Sequence, residues 1–140
     1  MPMGPAPLGF AYFVGVKFAG YTAAALAIRK FYPEFKGGIA KVGATRTAIG
    51  IGAGLAYGGI WLGGVSLLHS VDPSMIPYFI GLLPVRIAEW MWLMHLFFDR
   101  GLTDPQRAFR VSVGGAVWSY CLDAIGLGAA WVIPGGIWVC

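Results

Sequence analysis

Apolar residues in this chain come in four long runs separated by short polar connections. The runs are Leu8 to Ile28, Thr47 to Leu68, Ile76 to Phe98 and Val111 to Ile133. Each is long enough to cross roughly 30 Å of hydrocarbon at about 1.5 Å per residue. The pattern predicts an all-α fold, an integral membrane bundle of four transmembrane helices arranged as two helical hairpins. A single domain over residues 1–140 is expected, because the longest polar connection, Arg29 to Arg46, is too short to hold a folded soluble unit.

Composition points the same way. The chain is 58% hydrophobic and 11% charged, with a mean hydropathy of +0.72, whereas soluble domains carry roughly 25% charged residues. A multi-pass protein of a bacterial inner membrane or an organellar equivalent is expected. The opening residues, Met-Pro-Met-Gly-Pro-Ala-Pro, have neither the basic start of a secretory signal nor the Arg-rich, Ser-rich character of a transit peptide, so the first run is expected to be retained.

The basic residues predict an orientation. The first connection carries Arg29, Lys30, Lys36, Lys41 and Arg46, and the third carries Arg100, Arg107 and Arg110; the N-terminal tail, the stretch His69 to Met75 and the C-terminal tail carry no Lys or Arg. Short loops rich in Lys and Arg stay on the side of synthesis, which places 29–46 and 99–110 in the cytoplasm and both termini outside. A pI near 9.3 does not point to nucleic acid here, since no helix or sheet presents these charges as a surface. They suit the anionic headgroups of a lipid bilayer, at about 1 kcal/mol for each basic residue near the surface.

Four charges interrupt the apolar runs themselves. Lys17, Arg86, Glu89 and Asp123 each fall within about three residues of a run's midpoint, roughly 4 to 5 Å of depth. A charge there costs about 3 kcal/mol, so it needs a partner or a purpose. Arg86 and Glu89 share a helical face at i, i+3, and Lys17 and Asp123 are suited to a second pair between the first and fourth runs. Tyr21 and Tyr120, one turn from Lys17 and Asp123, extend the hydrogen bonding. Two readings follow: a helix-locking network that fixes register, or a substrate or ion pathway. The formal charges of the four sum to zero, which favours the lock.

Glycine and proline set the expected packing. Gly50, Gly54 and Gly58 recur at i, i+4, i+8, with Gly59 and Gly63 beside them; such small-residue faces let membrane helices approach closely. They do not form a nucleotide-binding fingerprint, because no strand precedes them and the spacing fails. Pro84 removes a backbone donor and leaves the carbonyl of Ile80 without its helical partner, so a kink is expected just before Arg86, with the freed carbonyls as acceptors for its guanidinium. Thr103-Asp104-Pro105 reads as a helix start. The helix it opens carries a small and polar stripe, Ser112, Ala116, Ser119, Tyr120, Asp123 and Leu127.

Little else signals chemistry. His69 and His95 lie at opposite ends of their runs and do not share a haem iron within one chain; each reads as an interfacial hydrogen-bonding residue, with single-His or pigment ligation in a larger assembly as the remaining cofactor reading. Cys121 and Cys140 are too far apart to pair. The tryptophans Trp90, Trp92, Trp118 and Trp131 read as packing residues. Nothing resembles a hydrolase elbow, a zinc motif or a phosphate loop, so no catalytic residue, metal ligand or cofactor is assigned. The expected role is a non-catalytic accessory or structural subunit of a larger membrane complex, such as an energy-transducing one, partnered by other membrane subunits or by its own copies. The alternative is a homo-oligomeric small transporter or channel in which Glu89 or Asp123 titrates against Lys17 or Arg86.

Overall fold

A computed structural model describes residues 7–68 and 75–129. They form four helices: α1 (Pro7–Arg29), α2 (Ile39–Leu68), α3 (Met75–Leu93), which runs on through a π-helical turn (Met94–Phe98), and α4 (Pro105–Ala129). No strand occurs among the described residues. Side-chain contacts fix the arrangement. Thr22 meets Gly43, Arg46 meets Glu89 while Tyr57 meets Tyr78, Trp90 meets Ser119 while Arg86 meets Asp123, and Trp118 meets Gly20 while Phe13 meets Gly126. Each pairing runs antiparallel, so the four helices close into an up-and-down ring, α1 beside α2, α2 beside α3, α3 beside α4 and α4 beside α1.

One boundary differs from the sequence pattern in a way that matters. Helix α2 begins at Ile39, not near Thr47, so Lys41 and Arg46 are helical residues rather than members of a loop. Hydropathy locates where a run becomes apolar, whereas a helix starts where backbone bonding starts. Here that is just after Gly37-Gly38, with the Val42 amide donating to the Gly38 carbonyl. At the same rim α4 begins as its sequence predicts: Asp104 Oδ1 accepts from the Arg107 amide at 3.0 Å, with Pro105 in the first turn.

The interior has three layers. At the end where the basic connections lie, Tyr32, Phe35, Leu93, Met94 and Ala108 are buried, and the Phe35 ring stacks on Phe98 at 4.6 Å. At the opposite end Tyr57, Trp61, Tyr78, Phe79 and Tyr120 form a chain of ring contacts. Two of these tyrosines bond backbone carbonyls of α3, two residues and one residue before the Ile80 carbonyl that lacks a donor at Pro84: Tyr57 reaches Tyr78 O at 3.1 Å and Tyr120 reaches Phe79 O at 2.7 Å. Tyr120 thus bonds the α3 backbone, while Asp123 one turn away is paired with Lys17 and Arg86. Between these two layers sits a polar one.

The outer surface is inverted relative to a soluble bundle. Large apolar side chains point outward from all four helices, among them Leu8, Ile60 (75% exposed), Ile76 (71%) and Val117. Two helices, Pro7–Arg29 and Ile76–Phe98, are long and apolar enough to cross a membrane, and only 33% of each apolar window is buried inside the bundle. Among the described residues the exposed charges, Arg29, Lys30, Glu34, Lys36, Lys41, Arg100, Asp104, Arg107 and Arg110, gather at one rim.

The α3–α4 turn at that rim is organised by Asp99. Its Oδ1 accepts from the Thr103 amide at 3.0 Å and the Thr103 hydroxyl at 2.8 Å, and its Oδ2 from the Asp104 amide at 3.2 Å. Gly101, at φ +104°, supplies the left-handed step that lets the turn close. The backbone bond from Thr103, followed by its hydroxyl bond, holds the Asp99 carboxyl below the usual carboxylate range. A depressed folded-state pKa contributes stability above the unfolded value, about 3.9, that is lost as pH falls through the folded one. Thermal melts are therefore expected to be insensitive to Asp99 between neutrality and about pH 5 and to fall below about pH 4. In Asp99→Asn the melting temperature at pH 7 drops and the acid-side loss shrinks; an unchanged acid limb would refute this role.

Candidate functional site

The polar layer is a chain of alternating charges with one or two links from every helix. Lys17 of α1 donates to Asp123 Oδ1 of α4 in a close ion pair. Arg86 of α3 donates through Nη2 to Asp123 Oδ2 at 2.9 Å, and its Nη1 lies 3.7 Å from Glu89 Oε2. Glu89 in turn accepts from Arg46 Nη2 of α2 at 2.7 Å. The order is Lys17, Asp123, Arg86, Glu89, Arg46, positive at both ends. All five are buried, Arg46 and Arg86 at 0% exposure.

Local sequence explains why these side chains meet. Ser112, Ala116, Ser119 and Asp123 repeat at i, i+4, i+7, i+11 and are all buried, so the small stripe of α4 gives the network room. Tyr120 beside it is half-buried and turns toward Phe79. Gly115 is open enough for the Trp90 indole to lie across α4, where any Cβ would overlap the ring. Trp90 Nε1 then donates to Ser119 Oγ at 3.0 Å, and the same hydroxyl lies 3.4 Å from Arg46 Nη2 while donating to the Gly115 carbonyl. The Arg46 guanidinium rests over the rings of Tyr21 (4.7 Å) and Trp90 (5.0 Å), which are themselves edge to face. Desolvated cation–π contacts of this kind reach about 2 kcal/mol. Tyr21 also accepts from Lys17 at 3.3 Å, so α1 touches the chain of charges at both its ends.

Arg46 is the residue that the sequence pattern left out of the layer. Its place among the basic residues of the first connection assigns it to a loop, and with it the layer changes character: the five residues of the chain of ion pairs carry three formal positive charges and two negative ones. A signal was present. Arg46, Gly50, Gly54 and Gly58 continue one face at four-residue spacing, which extends the glycine stripe back through a charge.

The five glycines expected to pack lie on two faces. Gly50 and Gly54 are buried and Gly58 approaches the Tyr78 hydroxyl at 4.0 Å, whereas Gly59 and Gly63 have nothing within 4 Å and face outward. His95 sits exposed in the π-helical turn and its Nδ1 accepts from the Gly101 amide at 3.3 Å, so it holds the rim turn and stands apart from the charged chain. His69, Trp131 and Cys140 lie outside the described residues. No group of three His, Cys, Asp or Glu suited to a metal ion occurs among the described residues. Between α1 and α4 a groove of about 370 Å³, lined by Ala23, Ala27, Phe31, Trp90, Gly114 and Trp118, is almost wholly apolar; Trp118 Nε1 is already bonded to the Gly20 carbonyl at 2.9 Å.

Chemically, this geometry holds helices together. Both carboxylates are engaged by two cations each. Truncating one member of a buried ion pair costs about 3 to 5 kcal/mol because a partner is left uncompensated. The excess of positive charge makes that cost asymmetric. Asp123→Asn, which strands Lys17 and Arg86, is expected to lower unfolding free energy by about 3 to 5 kcal/mol, whereas Lys17→Met should cost no more than about 2 kcal/mol. Denaturant titration in mild detergent checks this; equal losses in the two variants would contradict it.

Compared with protein-family models, curated proteins and solved structures, the chain matches none, so its own geometry carries the functional reading.

Proposed function

We propose that the chain is a four-span integral membrane protein, with both termini on the side opposite the basic rim, that serves as a non-catalytic subunit of a larger membrane assembly. The observation that carries this reading is the division of labour between the two sides of α2. Its inner face, through Arg46 and Gly50, is committed to the bundle. Its outer face presents Gly52, Ala56, Gly59 and Gly63 at i, i+4, i+7, i+11, all exposed. Nothing lies within 4 Å of the three glycines, and Ile60 and Leu62 flank them.

In hydrocarbon, association is driven by close backbone approach along such small-residue faces. A helix of another subunit is the natural occupant. The basic rim suits the side of synthesis, and the outward apolar residues of all four helices suit lipid. Glu89 and Asp123 are each engaged by two cations of neighbouring helices or of their own, which favours a role in holding the bundle over one in transport.

Gentle purification followed by native mass measurement tests the proposal. Different subunits in fixed ratio are expected to accompany the chain, and Gly59→Ile with Gly63→Ile should release them while leaving helicity and melting temperature within a few degrees of the parent. A homo-oligomer that survives both substitutions, with ion flux in vesicles abolished by Glu89→Gln, would establish the transporter reading in its place.

A further inference from the structure

The seam between α1 and α4 is closed on one side of the polar layer and open on the other. From the end away from the basic rim the two helices touch at Phe13 and Gly126, at Lys17 and Asp123, and at Gly20, whose carbonyl accepts from Trp118 Nε1 at 2.9 Å. They are next bridged at the rim itself, where Arg107 donates to the Phe31 carbonyl and lies over the Tyr32 ring at 4.5 Å. Between the two bridges lies the groove of about 370 Å³, walled by Ala23, Ala27 and Phe31 on one side and Gly114 and Trp118 on the other, with Trp90 behind it.

The depth of the groove selects its occupant. From Ala23 to Phe31 α1 rises about 12 Å, close to the thickness of one hydrocarbon leaflet, about 15 Å. A transmembrane helix of another subunit needs a face that continues through both leaflets, and the contact of Trp118 with Gly20 ends this one beside the polar layer. A single acyl chain needs only one leaflet. The two indole N–H groups along the groove are already bonded, Trp118 to Gly20 and Trp90 to Ser119, so an apolar chain leaves neither donor unsatisfied.

Both walls run into basic residues at the rim. On α1, Ala23 and Ala27 lead at helical spacing to Lys30, whose amide closes the helix on the Ala27 carbonyl at 3.2 Å. On α4, Val111 and Gly114 follow Arg107 and Arg110 by one turn. All three cations are exposed, and neither Lys30 nor Arg110 belongs to an ion pair among the described residues. The exposed acids of this rim, Glu34 and Asp104, are outnumbered by its exposed bases. A long apolar slot that opens under a cluster of cations is complementary to a phosphate attached to a hydrocarbon chain.

We infer that the groove holds one acyl chain of an anionic glycerophospholipid from the leaflet at the basic rim, with the phosphate on Lys30, Arg107 and Arg110. The inference rests on the membrane-spanning reading of the chain. It does not use the outward face of α2.

Native mass measurement of the purified full-length protein in mild detergent, supplied with equal amounts of phosphatidylglycerol and phosphatidylcholine, tests the site. The parent should retain one phosphatidylglycerol per chain, preferred over phosphatidylcholine by at least about tenfold. A Cβ at Gly114 meets nothing within 4 Å, so Gly114→Leu fills the groove without displacing protein atoms. This variant should lose the lipid while melting within a few degrees of the parent. Lys30→Gln with Arg110→Gln should reduce the preference to within about threefold.

Equal retention of the two lipids by the parent would overturn the site, as would undiminished phosphatidylglycerol in Gly114→Leu, or a polypeptide rather than a lipid released by that substitution. Should Gly114→Leu not fold, an unchanged preference in the Lys30 and Arg110 variant overturns it equally. Membrane extraction separates this from failure of the spanning reading. Release of the chain by alkaline carbonate overturns both, whereas an integral chain without the lipid preference overturns the site alone.

Discussion

Five buried charges in strict alternation are the constraint on which the rest of this protein depends. Lys17, Asp123, Arg86, Glu89 and Arg46 come from four helices, and each ion pair except that within α3 crosses from one helix to another. Such a chain is satisfied in one register only. Sliding any helix by a turn, about 5.4 Å, separates at least one cation from its carboxylate. Apolar packing alone tolerates many arrangements; desolvated charges do not. The small residues of α4, the indole of Trp90 laid across Gly115 and the Ser119 hydroxyl are all arranged around this requirement.

The same constraint explains the inverted distribution of side chains. Among the described residues charge lies in the middle layer and at one rim, and every helix turns large apolar side chains outward. Aromatic layers close the bundle on either side of the polar one. The tyrosines of the far layer, Tyr57 and Tyr120, bond the carbonyls of Tyr78 and Phe79, which ties α3 to both of its neighbours.

Much of this was legible in the sequence, for physical reasons that can be named. Run lengths and short connections predict the number of helices, and Thr103-Asp104-Pro105 predicts the start of α4 to the residue. Lys17, Arg86, Glu89 and Asp123 stand out because charge in an apolar run is expensive. Arg46 does not stand out, because it lies at the edge of its run among other basic residues, where a solvated position costs nothing. Only the backbone, continuing from Ile39, carries it inward. Pairing partners were also only partly readable: i, i+3 spacing identifies Arg86 with Glu89, but the stronger bonds of both residues go to other helices, and those depend on how four helices close.

A double-mutant cycle between Arg46 and Asp123 addresses the chain as a unit, because these two residues are joined through Glu89 and Arg86 on one side and through Tyr21 and Lys17 on the other. Sites without shared partners are additive to within about 0.5 kcal/mol. If the charges act together, Arg46→Met and Asp123→Asn in combination should cost at least about 1 kcal/mol less than the sum of the single losses, since the double variant restores the parent's excess charge. Additivity within about 0.5 kcal/mol would show that the ion pairs are separate contacts and that no continuous charge chain holds the bundle.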